Sequence, residues 1–284
     1  MPAALIPYAR RASLLPLLAL CVAACAQQEQ SATQPDEATT TSALAQPAAT
    51  DAAAAPAPPK ASARSVSEEN PLYTFDYSYP AAAAAIPALS ALLDKDLADA
   101  RAELAQQARE DSKNAKESGY PFNPHSHSVE WQVVTDLPGW LSLSTLIGFY
   151  SGGAHPNYTF DGIVWDRAAN TRRKATDLFT SPTALSGAIK APFCKGLEKA
   201  RAQKRKGLDW QPGSISEFDQ CIDPLEQTII LGSAGGKAFD RIGFLIAPYA
   251  AGPYAEGSYE VTLPVTEKVM AAVKPEYRAA FAMP

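Results

Sequence analysis

Tyr73, Phe75, Tyr77 and Tyr79 alternate with Thr74, Asp76 and Ser78, and this period of two predicts a strand with one aromatic face, ended by Pro80. The period then lengthens. Ile86, Leu89, Leu92, Leu93, Leu97, Ala100, Leu104 and Ala108 recur at helical spacing, opposite Asp94, Lys95, Asp96, Asp99, Arg101 and Glu103, which predicts one amphipathic helix over about 85–116. Its polar side mixes signs instead of being basic, so the apolar stripe suits a sheet better than a membrane surface. Alternation returns in strands near 127–135, 140–150 and 157–166, with Pro138-Gly139 at the first turn and a Gly-Gly loop at the second, a meander. Ser181-Pro182 makes an N-cap and first-turn pair for a helix near 182–205, and a second helix is expected near 214–231. Strand-like sequence follows at 239–247 and 258–263, then helical sequence near 264–273 and 275–281. The pattern predicts an α+β fold, an antiparallel sheet packed against a few helices, in subdomains 70–120 and 121–284.

The amino-terminal pattern differs. Arg10 and Arg11 precede a short apolar run, 14–22, broken only by Pro16, which reads as a secretory signal over 1–24. Val22-Ala23-Ala24-Cys25 resembles the bacterial lipobox, so Cys25 is the expected lipidation site, and palmitate-type acyl chains there would anchor the protein without a spanning helix. Ala26 rather than Asp after that cysteine points to the periplasmic face of the outer membrane. Residues 25–69 are dominated by Ala, Pro, Ser, Thr and Gln, a composition that cannot offset ordering entropy, and are expected to form a disordered tether. With Cys21 lost and Cys25 acylated, Cys194 and Cys221 remain in an oxidising compartment, where such a pair most often forms a disulfide.

Composition narrows the function. Of 284 residues, 46% are hydrophobic and 19% charged, which provides for a packed core and excludes disorder of the whole chain. No apolar stretch reaches the ~18–20 residues of a membrane span. The net charge of −5 argues against nucleic acid as a partner, since phosphate recognition needs clustered Lys and Arg.

Chemistry-bearing residues are few. His125 and His127, two apart on one face of a strand, have the spacing of a metal pair but no third ligand, and are expected to be exposed loop and edge residues. No metal and no cofactor is expected. His155, in the loop Gly152-Gly153-Ala154-His155-Pro156-Asn157, is the best single candidate, because glycines let backbone approach a ligand; the same glycines also suit a plain hairpin. No nucleophile-elbow motif accompanies it, so no catalytic residue is assigned. Gly235-Gly236-Lys237 lacks the spacing of a phosphate loop. Residues 248–257 set Tyr249, Tyr254 and Glu256 on a Pro/Gly frame, either a binding loop or a buried plug. The basic run 199–206 is expected as a solvated helix end that complements the dipole.

The stretch from Gly148 to Asn157, the continuation through Phe160-Asp161, Thr176-Asp177-Leu178-Phe179, and Ala247-Pro248-Tyr249 with Gly252-Pro253-Tyr254-Ala255-Glu256-Gly257 and Val261-Thr262-Leu263-Pro264 resemble the extracytoplasmic C-terminal domain of the RsiV anti-sigma factor family. That domain also accompanies PdaC-type peptidoglycan deacetylases. The resemblance implies an α+β envelope module that senses lysozyme by binding it in the first setting and is a non-catalytic accessory in the second. Without a sigma-binding segment or deacetylase domain, neither regulation nor deacetylation is carried over. The expectation is a non-enzymatic lipoprotein that binds a lysozyme-like muramidase or peptidoglycan, with Gly152, Gly153, His155, Asn157, Tyr249, Tyr254 and Glu256 as tentative ligand contacts. Rival expectations are a structural accessory of an envelope assembly, or a hydrolase or metal enzyme using His155 with Asp161 or Tyr158.

Overall fold

The computed structural model describes residues 61–208, 215 and 218–284; the signal, the lipidation site and most of the tether lie outside the described residues. In chain order the strands and helices are β1 (Arg64–Glu69), β2 (Tyr73–Tyr79), α1 (Ala81–Ala84), α2 (Pro87–Ser118), β3 (His125–Leu137), β4 (Trp140–Tyr150), β5 (Asn157–Asp166), β6 (Thr171–Arg173), α3 (Pro182–Lys204), β7 (Thr228–Gly232), β8 (Arg241–Ile246), β9 (Tyr259–Pro264) and α4 (Glu267–Ala272). They build a six-stranded sheet in sequential order β1 to β6 and a three-stranded sheet β7-β8-β9, an α+β fold. Among the described residues no helix is long and apolar enough to cross a membrane.

Three expectations need correction. The tether does not extend to 69, because Arg64–Glu69 pairs antiparallel with β2 as the edge of the sheet. Its charged and hydroxyl side chains mask the hydrophobic signal of a strand while protecting an exposed edge. The sheet is not wholly antiparallel: β2 and β3 run parallel, since α2 returns the chain along the sheet before β3 enters it. Residues 70–120 are thereby joined to β3 through the hydrogen bonds of β2. The helix expected over 214–231 is absent from its described part, which holds a 3-10 turn at Pro224–Glu226 and then β7. Pro224 interrupts a helix, and the short run Thr228-Ile229-Ile230-Leu231 suits either element until β8 offers it partners.

Two hydrophobic cores lie on opposite sides of the large sheet. Phe75, Leu89, Leu93, Leu143, Ile163 and Trp165 close the first beneath α2. The Trp131 indole donates to the Tyr77 hydroxyl at 3.1 Å and Tyr79 donates to Asp94 at 2.9 Å, so the aromatic strand buries its rings with their polar ends satisfied. The second core sets Ile189, Phe193 and Leu197 of α3 against Leu231, Ile242 and Phe244. β5 serves both cores, sending Ile163 and Trp165 to one and Val164 to the other, as a period of two requires. At Gly162 a side chain would come within 3.3 Å of the Ile229 carbonyl oxygen, and this gap lets the small sheet cross the large one.

Cys194 on α3 and Cys221 form a disulfide, with Cα atoms 5.3 Å apart. Cys221 lies in an irregular segment and not on a helix. α3 packs closely on β9 at Gly196, where a Cβ would sit 2.7 Å from a methyl of buried Val261. Gly196→Ala is expected to cost about 1–3 kcal/mol, read as a lower denaturation midpoint; an unchanged midpoint would contradict this packing.

Candidate binding surface

The loop between β8 and β9 and the loop between β4 and β5 meet through three aromatic rings. His155 stacks on Tyr254 with centroids 3.9 Å apart at 23°, and Tyr249 lies 5.6 Å from Tyr254. His155 Nδ1 is 2.8 Å from the Pro156 carbonyl oxygen and Nε2 is 3.1 Å from the Tyr249 hydroxyl. A carbonyl only accepts, so in the neutral ring Nδ1 carries the proton and Nε2 accepts from Tyr249. The Tyr254 hydroxyl donates to the same carbonyl at 2.6 Å. Tyr249 adopts a left-handed backbone, φ 69°, strained for an aromatic residue, and stays 49% exposed. The strain is held because the patch is anchored from beneath.

That anchor is the basic run at the end of α3. Arg201, buried, donates to the carbonyls of Ala251 at 2.9 Å and Gln220 at 2.9 Å. Lys204 donates to Glu256 O and Ser258 O, each at 2.5 Å, and its ammonium lies 4.5 Å from the centre of the Tyr259 ring. Arg205 holds both oxygens of Glu256, at 2.8 and 3.2 Å, and the Tyr259 hydroxyl donates to the same carboxylate. A Cβ at Gly252 would overlap that carboxylate, so any larger residue there must displace Glu256 from its bonds. The run is thus a clamp, not a solvated helix end; its partners lie about fifty residues downstream, beyond the reach of local pattern.

The tentative contact residues divide accordingly. His155, Tyr249 and Tyr254 share one exposed patch. Gly152 and Gly153 are exposed in the adjoining loop, where Tyr150 donates to the Gly153 carbonyl at 2.9 Å. Asn157 spends its side-chain oxygen on the Tyr158 N–H at 2.9 Å. Glu256 belongs to the clamp, its side chain only 7% exposed, and is not presented to a ligand. The partners of a His155 hydrolase are engaged elsewhere: Asp161 pairs with Arg172 at 2.7 Å, and the Tyr158 hydroxyl accepts from the Ser258 N–H at 2.9 Å.

His125 and His127 are not the exposed edge residues expected. The parallel partner β2 places β3 inside the sheet, His125 is 2% exposed, and His127 is half-buried beside Phe75. Among the described residues no group of three or more His, Cys, Asp or Glu side chains is placed to hold a metal ion.

The architecture is that of an α+β module whose aromatic loops converge at one end. Residues 66–158 match the family model described as deacetylase PdaC, and over that span the resemblance to RsiV- and PdaC-type accessory domains holds. The match covers β2 to β4, the Gly-Gly loop and His155, and ends before the 248–257 loop. Crystal structures of two DUF3298 family proteins are similar to this chain. One, from Bacteroides fragilis, is 18% identical, with 76% of this chain and 94% of that chain covered and a TM-score of 0.46. The other, from Pseudomonas aeruginosa, is 15% identical, with 78% and 97% covered and a TM-score of 0.45. No curated protein matches the chain.

Burial alone would raise the Glu256 carboxyl, but Arg205, Tyr259 and Lys204 hold it below its ordinary 4.5. A carboxyl lowered in the folded state stabilises fully above its unfolded value, and the effect fades as pH falls through the lower folded value. Glu256→Gln is expected to lower stability by about 2–3 kcal/mol at neutral pH. Thermal melts of the variant and the parent should converge as pH falls well below 4.5, the ordinary value for Glu256.

Proposed function

We propose that this protein is a lipid-anchored, non-enzymatic module of the bacterial envelope that binds a lysozyme-like muramidase through His155, Tyr249 and Tyr254. The observation that carries this reading is the exposed ring patch itself, held by the α3 clamp, with His155 on the loop that the PdaC match includes. Rigid aromatic side chains lose little conformational entropy on docking and dominate the energetics of protein interfaces. Charge supports the choice of partner: loss of Arg10 and Arg11 with the signal takes the chain from −5 to about −7, which steers a basic protein toward it. Anchorage at Cys25 on the periplasmic face of the outer membrane would place the module where such enzymes meet peptidoglycan.

The test is a binding isotherm of the full-length chain with a c-type lysozyme at ~150 mM salt, where weak charge attraction is largely screened. Saturable binding at micromolar Kd or tighter is expected, with Tyr249→Ala weakening it about tenfold or more and leaving the melting temperature unchanged. Absence of saturable binding would overturn the muramidase reading in favour of a structural accessory role.

A further inference from the structure

α2 packs on one face of the large sheet, and the small sheet covers only part of the other. Along β4 that second face runs from fully buried Ser142 through Ser144 to Leu146, 43% exposed, and along β5 from buried Val164 to half-buried Phe160. The uncovered part forms a groove of about 660 Å³, floored by β1 to β5 and walled by Ile230, Leu245 and Glu260 of the small sheet. The wall is fixed to the floor, since the Thr228 hydroxyl donates to the Phe160 carbonyl at 2.9 Å.

Strand register orders the chemistry of this groove. Ser78, Glu130, Leu146 and Phe160 are direct cross-strand neighbours, so the floor passes from polar to apolar in one row. Asp76, two residues from Ser78 on the same face, reinforces the anionic end. At the other end Leu146 and Phe160 share an apolar pocket with Ile230 and Leu245. Glu260 is the cross-strand neighbour of Leu245, so a carboxylate adjoins that pocket on the wall as Glu130 does on the floor. Asp76, Glu130 and Glu260 are exposed, and none of the three pairs with a Lys or Arg among the described residues; Asp136, Asp161, Asp166 and Asp240 each do. The lining itself holds no Lys or Arg.

We propose that this groove binds an extended cationic segment of a partner protein, seating one apolar side chain among Leu146, Phe160, Ile230 and Leu245 with Lys or Arg on either side at Glu130 and Glu260. Charge selects the occupant. The chain's own segment 26–60 carries Glu29, Asp36, Glu37 and Asp51 against Lys60 alone, and a second copy shares the net charge of −5, so the groove repels both. Exposed ion pairs alone hold little, so the buried apolar side chain supplies affinity while the carboxylates supply orientation and choice. The hydroxyls of Ser78, Ser128 and Ser144 on the floor both donate and accept, as a polypeptide backbone requires. The groove shares no residue with the ring patch, so it stands or falls separately from the muramidase reading.

The experiment is calorimetric titration of the full-length chain with three blocked pentapeptides, in which lysine alternates with leucine, lysine with serine, or glutamate with leucine. Saturable binding of the lysine–leucine peptide is expected, with the lysine–serine peptide about tenfold weaker and the glutamate–leucine peptide not bound. Glu130→Gln combined with Glu260→Gln should weaken the lysine–leucine peptide about tenfold and flatten its salt dependence, and Leu146→Ser should weaken it about as much. These three side chains are exposed, so folding is retained, and Tyr249→Ala should leave the peptide affinity unchanged. Equal affinity for the lysine–leucine and lysine–serine peptides, unchanged affinity in the double variant, or no binding at ~1 mM peptide would overturn the proposal. A dimer of the chain in sedimentation that Leu146→Ser disperses would also overturn it and assign the groove to a second copy.

Discussion

The last turns of α3 are the constraint on which the ring-bearing end of this molecule depends. Arg201 and Arg205 reach in two directions, toward the Tyr-bearing loop through Ala251 and Glu256 and toward the segment at 218–221 through Gln220 and Phe218. The Cys194–Cys221 disulfide fixes that same segment to the same side of the helix about two turns earlier. Guanidinium groups suit this role because their planar forks donate several fixed bonds at once and keep their charge when buried. Burial and the neighbouring Arg205 pull Arg201 below the ordinary guanidinium value, a measure of how far this cation has left water.

The clamp explains how a loop with four unusual features keeps one shape. Pro248 and Pro253 limit its backbone, Tyr249 takes a left-handed conformation, and Gly252 makes room for the Glu256 carboxylate. Together they hold Tyr249 and Tyr254 against His155, a residue contributed by the other sheet, so the ring patch joins the two halves of the fold. A surface ordered before its partner arrives avoids the entropy of ordering on binding.

Much of the frame was legible in the sequence because it rests on local period. The strands at 73–79, 140–150 and 157–166 and the long helix carry their alternation within a few residues, and the structure places them within two or three positions of the pattern. What escaped depends on partners distant in the chain. The burial of His125 comes from β2, some fifty residues earlier and parallel, and no local signal marks it. Glu256 and the basic run each read as exposed charge when taken singly, because their meaning is mutual. The run Thr228-Ile229-Ile230-Leu231 is too short to choose between helix and strand until β8 pairs with it. Among the expected contact residues, His155, Tyr249 and Tyr254 lie together in the structure, whereas Glu256 is drawn into the clamp by Arg205, a partner that no local pattern shows.

The central claim is that the α3 clamp pre-forms the ring patch, and amide hydrogen exchange across 248–257 tests it most directly. In the parent chain the amides of Glu256 and Gly257, bonded to the carbonyls of Pro253 and Tyr254, should exchange slowly. Arg205→Ala should speed that exchange by an order of magnitude or more while β7, β8 and β9 keep their protection. Equal exchange in the two proteins would show that the loop holds its shape without the clamp, and would contradict the account.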